Sequence, residues 1–151
     1  MGRRPVDSRL FRLLWGRLAL QFSPEAADAL LSVGGLEVSF GAGGRVRQVW
    51  AGGEPYLTLR AGDGYFSLSR RAGEVLRRAV ARPRFRVVVG RGVELVGSVF
   101  ARQVVGGDDG LRPGDEAVVV DEDDRLLGVG RVRIPLVFIR GLDRGEVVRL
   151  R

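Results

Sequence analysis

Apolar residues at 10, 11, 14, 15 and 18 recur at the period of an α-helix, and they predict one over residues 8–20. SPEAADALL follows. Ser23 stands at an N-cap position, Pro24 at the first helical position, and Gly34 and Gly35 where a helix must stop. From residue 36 the period shortens. LEVSF, RVRQVW, PYLTLR and YFSL read as strands, with GAGG, AGG and AGDG as the turns between them. Ser69 then caps RRAGEVLRRAVAR, a third helix ended by Pro83, in which Glu74 can pair with Arg77 or Arg78 one turn on.

The second half has a different rhythm. RFRVVV reads as a strand, GVELV as a helical turn and SVFARQVV as another strand. DEAVVV, RLLGVGRVRI and GEVVRLR complete the set, with LRPG and DEDD as turns. Short strands at regular spacing suggest a small barrel. The expected fold class is therefore α+β: a small α/β module over residues 1–82, then a β pseudobarrel over residues 84–151. Trp15 and Trp50 fall at periodic apolar positions, where core burial is expected.

Composition narrows the chemistry. The chain of 151 residues contains no cysteine and no histidine. Thiol nucleophiles, thiolate metal sites and the commonest general base are thereby excluded. Nothing in the residues calls for a cofactor. No run of eighteen apolar residues occurs, so no membrane-spanning helix is expected. Arg9, Arg12 and Arg17 interrupt the N-terminal apolar stretch too often for a signal-peptide core, which points to a cytoplasmic protein. All 25 basic residues are arginine, and the formal charge is +7. A GC-rich genome produces such a bias without any functional cause. Arginine also binds phosphate bidentately and stacks on bases, so a polyanionic partner fits.

The charge is unevenly spread. Residues 1–83 hold 13 arginines against 7 acids, and residues 84–151 hold 12 against 11. Eight of those last 11 acids lie between Asp108 and Asp124, beside a single arginine, Arg112. One end of the barrel is thus expected to be acidic and its other surfaces strongly basic. A solvated, solubilising hairpin explains the acids; an arginine face that tracks phosphate explains the rest.

Within the acidic segment, DEDDRLLGVGR resembles a metal cage next to a phosphate loop. Neither reading holds. Asp121, Glu122, Asp123 and Asp124 crowd one tight turn with no further ligand converging on them, so they should face solvent. Gly128 and Gly130 share one face of a strand, where they permit bending or close packing, whereas a phosphate loop opens a helix. Asp63 in AGDG suits a hairpin turn, or a lone catalytic carboxylate without partners. No catalytic residue and no metal ligand is assigned.

The order of motifs carries a family resemblance. LRPGDEAVVVDEDDRLLGVGRVRI, with its P-G-D lead and its G-x-G-R, resembles the PUA domain, an RNA-binding pseudobarrel. GVELVGSVFARQVV looks like that domain's first helix and second strand, and GLDRGEVVRLR like its last strand. Upstream, LALQFSPEAADALL, GRVRQVW and LTLRAGDGYFSL resemble the module that precedes PUA in archaeal archaeosine tRNA-guanine transglycosylases. The resemblance covers residues 18 to 151. It departs at Ala101, Arg102, Gln103 and Val104, where the family tends to carry glycine, lysine and aromatic residues. The large catalytic barrel of those enzymes has no counterpart here.

That resemblance implies a non-catalytic protein that binds RNA, in particular the acceptor end of tRNA, as a detached subunit or accessory of archaeosine modification. A separate transglycosylase catalytic subunit would be its partner. A stand-alone PUA protein of the ribosome or translation machinery is the alternative, and no membrane is involved. The implied RNA surface comprises Arg91, Gly92, Gly97, Ser98, Phe100, Ala101, Arg102 and Gln103, with Arg131, Arg133 and Arg149 on neighbouring strands. Glycine and alanine let a backbone approach closely, and Arg102 and Gln103 suit a phosphate or a base edge. Phe100 either stacks on a nucleotide or packs in the core; Arg102 either holds phosphate or joins a surface ion pair. The three strand arginines are either contacts or solvated positions. Arg3, Arg4, Arg9, Arg12 and Arg17 either extend the basic surface or belong to a disordered basic tail.

Overall fold

A computed structural model describes residues 2–151. The chain divides into two compact units, one ending at Val80 and one spanning Ala81–Arg151.

In the first unit, helix α1 (Ser8–Gln21) is capped by Asp7, whose carboxylate accepts the Leu10 N–H at 2.8 Å. Leu10, Leu14 and Leu18 are buried one turn apart. Helix α2 (Pro24–Leu31) starts as its sequence predicts: Ser23 Oγ accepts the Ala26 N–H at 3.1 Å, and Pro24 opens the helix. Five antiparallel strands follow in the order β1 (Arg4–Pro5), β2 (Leu36–Phe40), β3 (Val46–Ala51), β4 (Glu54–Leu59) and β5 (Phe66–Leu68). Register puts Val38 opposite Val49, Val49 opposite Leu57 and Leu57 opposite Leu68, so the buried positions form one continuous row. The neighbouring row is Ser39, Gln48, Thr58 and Ser67, which is polar and not buried. Gln21 ties α1 to the sheet by bonding the Phe66 backbone in both directions, at 2.8 and 2.9 Å.

Two local expectations fail in this unit, at the end of the third helix and at the tryptophans, and one open alternative is narrowed at Arg3 and Arg4. Helix α3 (Arg70–Ala79), capped by Ser69, stops short of Pro83 because Val80 adopts an extended conformation and is buried. Arg3 and Arg4 are no loose tail: Arg4 and Pro5 pair with Val38 and Glu37, and the two guanidiniums lie 4.6 Å from the Trp50 ring and 4.7 Å from the Phe40 ring. Trp15 and Trp50 are half-buried, because each indole N–H reaches a polar partner, Asp28 and Ser39 respectively.

The second unit holds β6 (Arg86–Val89), β7 (Ser98–Phe100), β8 (Val104–Gly107), β9 (Glu116–Val120), β10 (Leu126–Val132) and β11 (Glu146–Leu150). They form one sheet in the order β7-β11-β10-β9-β6-β8, antiparallel except for β6 beside β9. β7 and β8 are the two edges of this sheet, yet only Ala101–Gln103 separate them in sequence. Three residues reach about 10 Å. The sheet must therefore roll until its edges meet, and the expected pseudobarrel stands. Val87, Val89, Val99, Ala117, Val119, Val132, Val147 and Val148 fill its core.

Two predicted elements change. GVELV forms no helical turn: Gly92 and Gly97 take φ of 75° and 72°, and these left-handed ends leave too few residues between them to nucleate a helix. The helical turn lies instead at Ala101–Gln103, where it splits the predicted strand SVFARQVV into β7 and β8.

Candidate nucleic-acid interface

The corner between β7 and β8 is built by its own side chains. Val99 points into the core, so alternation turns Phe100 outward, and the residue is 41% exposed. The exposed reading of Phe100 is therefore the one the fold supports. Gln103 Oε1 accepts the Phe100 N–H at 2.8 Å, and the Gln103 carbonyl accepts the Gly90 N–H at 3.1 Å. Its amide oxygen thus caps the turn. Ala101 is buried, and its N–H donates to the Gly145 carbonyl at 2.9 Å. Arg102 is left at the surface, with no ion pair among the described residues.

Beside this corner, Arg131 of β10 stands directly opposite Arg149 of β11, and Arg149 opposite Ser98 of β7. Arg131, Arg133 and Arg149 are all exposed, but Arg133 lies just past the end of β10 and not on a strand as expected, because the chain bends there ahead of Pro135. One acid intrudes. Glu146, the ladder partner of Phe100, accepts the Ser98 hydroxyl on one oxygen and Arg149 Nη2 on the other at 3.1 Å. The Ser98 hydrogen bond, helped by Arg149 and by the charge of Arg133, holds its carboxyl below the usual range against the opposing effect of burial. Gly97 anchors the neighbouring strand end, its carbonyl accepting the Leu150 N–H at 3.0 Å. Gly130 is sterically required: a Cβ there would lie 2.3 Å from the Arg149 carbonyl oxygen.

Arg91 and Gly92 belong to different surroundings. The Arg91 guanidinium lies 3.0 Å from Asp123 and 3.4 Å from Glu122, and its N–H donates to Glu122 at 3.2 Å. Asp121 closes the acidic turn by accepting the Asp123 and Arg125 N–H groups at 2.9 and 3.0 Å. Those bonds, the Arg125 one foremost, hold its carboxyl low. Asp121, with its side chain only 14% exposed, departs from the solvent-facing expectation, and so does Asp124. Its φ is 62°, and its carboxylate grips Arg86, only 2% exposed, at 2.8 and 3.2 Å. Among the described residues no group of His, Cys, Asp or Glu is arranged to hold a metal ion. Asp63 accepts the Tyr65 N–H and pairs with Arg60, which makes it a turn residue.

Sequence reasoning missed three buried or half-buried charges. Arg86 lies in the apolar run RVVV, and Glu116, fully buried, is held by Arg151. Glu146 had the clearest signal, being the single acid in GEVVRLR.

Two domain models match in tandem: the patch-forming domain C2 of tRNA-guanine transglycosylase over residues 17–83, and the PUA domain over residues 86–151. The chain is a PUA-domain protein. It is 34% identical over 132 residues to tRNA-guanine(15) transglycosylase of Pyrococcus abyssi, a match to 85% of this chain and 22% of that protein. To the same enzyme of Methanobrevibacter smithii it is 32% identical over 136 residues, 87% of this chain and 20% of the relative. The chain thus spans about a fifth of the length of these relatives. A conserved PUA domain protein from Thermoplasma acidophilum superposes with a TM-score of 0.64 at 22% identity, covering 99% of this chain and 92% of its own. A hypothetical protein from Pyrococcus horikoshii gives 0.69 at 20% identity, covering 99% and 93%. At those identities the likeness speaks for the fold alone. The Ser98–Gln103 corner and the arginines of β10 and β11 all belong to the PUA domain.

Proposed function

We propose that this PUA-domain protein is a non-catalytic RNA-binding protein that engages tRNA, at its acceptor end, through the exposed face around Phe100, Arg102, Arg131, Arg133 and Arg149. Gly97, Ser98, Ala101 and Gln103 shape that face. Arg91 and Gly92 lie outside its centre, because the Arg91 charge is already matched by Glu122 and Asp123. The observation that carries the reading is the tandem of C2 and PUA domains, which the relatives named as transglycosylases share. An exposed aromatic next to exposed arginines is the chemistry by which unpaired nucleotides are held, and paired phosphates need only the cations.

In the fuller form of the proposal, the module of residues 1–82 and the PUA domain of residues 84–151 act together in archaeosine modification, presenting tRNA to a separate transglycosylase catalytic subunit. The test is a binding titration with tRNA and with an unrelated RNA duplex over a range of salt. Affinity for tRNA that exceeds duplex affinity, and falls steeply with salt, supports it. Equal affinities defeat it. Recovery from native lysate with ribosomal subunits rather than with a transglycosylase would move the protein to translation instead.

A further inference from the structure

Glu146 is anomalous within the proposed RNA face. A surface that only gathers phosphate has no use for a carboxylate at its middle, since like charges repel. Yet this one is built in with care. Ser98 and Arg149 fix its two oxygens, Arg133 adds a third favourable charge, and its ladder partner is the exposed Phe100. Each carboxylate oxygen accepts two hydrogen bonds, so acceptor capacity remains after Ser98 and Arg149 are served. A fixed acceptor beside an exposed ring is the arrangement that reads a nucleotide stacked on that ring.

We propose that Glu146 is the specificity-determining residue of this face, accepting a hydrogen bond from a nucleotide donor while its neighbours hold phosphate. The inference rests on the RNA-binding reading and deepens it. Three donors have the required chemistry: the exocyclic amino group of adenine, cytosine or guanine, the ring imino N–H of guanine or uracil, and the ribose 2′-hydroxyl. Adenine and cytosine carry only the amine, uracil only the imino N–H and guanine both, and deoxyribose has no 2′-hydroxyl, so the sources separate by probe.

The experiment uses the full chain, with single-stranded homopolymers of adenosine, cytidine, guanosine and uridine of one length, and their deoxyribose counterparts. Wild-type protein should prefer either one class of base donor, amine or imino, over the other, or ribose over deoxyribose, by about tenfold. Glu146→Gln and Glu146→Ala should erase most of that preference while leaving affinity for the disfavoured probe unchanged or higher. Thermal melting of each variant guards against unfolding, and Ser98→Ala, which loosens the carboxylate without removing it, should weaken the preference by a smaller factor. A uniform rise in affinity for every probe would mean that Glu146 merely dilutes positive charge, and would overturn the inference. So would an unchanged preference. Wild-type protein that binds no RNA at all would remove the RNA-binding reading itself, a result distinct from either.

Discussion

Two surfaces of the PUA domain carry arginine, and they treat it differently. At the 121–125 turn every arginine meets a carboxylate: Arg86 meets Asp124, Arg91 meets Glu122 and Asp123, and Arg125 meets Asp121. At the β7 corner and just past the end of β10, Arg102 and Arg133 form no ion pair among the described residues, and one acid, Glu146, bonds Arg149 on β11. The same side chain is structural in one place and available in the other. Counting arginines in a sequence cannot separate the two, because the difference lies in which acids fold back onto them.

The largest effect should come from breaking the buried member of the first set. Asp124→Ala strands the Arg86 guanidinium in a buried site and should cost about 3–5 kcal/mol of stability. Hydrogen exchange of the β6 and β9 amides would read it. Arg86→Met, which removes the buried charge and leaves Asp124 with access to water, should cost less. Gly130→Ala comes next. A Cβ there forces β11 away from β10, with a loss of about 1–3 kcal/mol and a shift of Arg149 visible in its amide resonance.

Smaller effects bear on binding. Arg102→Ala should weaken tRNA affinity by about tenfold and lower the salt slope by about one, and Arg149→Ala, whose charge Glu146 partly matches, should do so by less. Arg91→Ala should leave tRNA affinity within about twofold, because loss of a charge already compensated releases few counterions. The smallest effect is on pH dependence. Glu146 has a folded pKa below its ordinary value of 4.5, so its contribution to stability is complete above that value. It is lost as pH falls through the lower, folded value. Glu146→Gln should therefore flatten the acid limb of the stability profile and leave the neutral plateau's shape unchanged.

Much of the fold is written locally. Ser23 and Ser69 cap helices where the sequence puts them, and most strands lie where the apolar runs predict them. What stayed illegible depends on long-range closure. The corner at Ala101–Gln103 exists because two sheet edges must meet there, and nothing in the run SVFARQVV announces that. β1 forms because Trp50 and Phe40 offer rings to Arg3 and Arg4 from residues far along the chain. The candidate site was half legible. Phe100 and Arg102 are exposed together, which the sequence alone left open, since Phe100 fitted core packing equally. Arg91 is not comparably available, since its partners arrive from a turn some thirty residues away in sequence.

The central claim is that the second arginine surface, and not the first, meets tRNA. The direct measurement is tRNA affinity at several salt concentrations for the wild type, Arg102→Ala and Arg91→Ala, with an unrelated RNA duplex as competitor. The account predicts tRNA binding tighter than duplex binding, a clear loss for Arg102→Ala and almost none for Arg91→Ala. Equal losses for the two variants, or wild-type binding no tighter to tRNA than to the duplex, would contradict it.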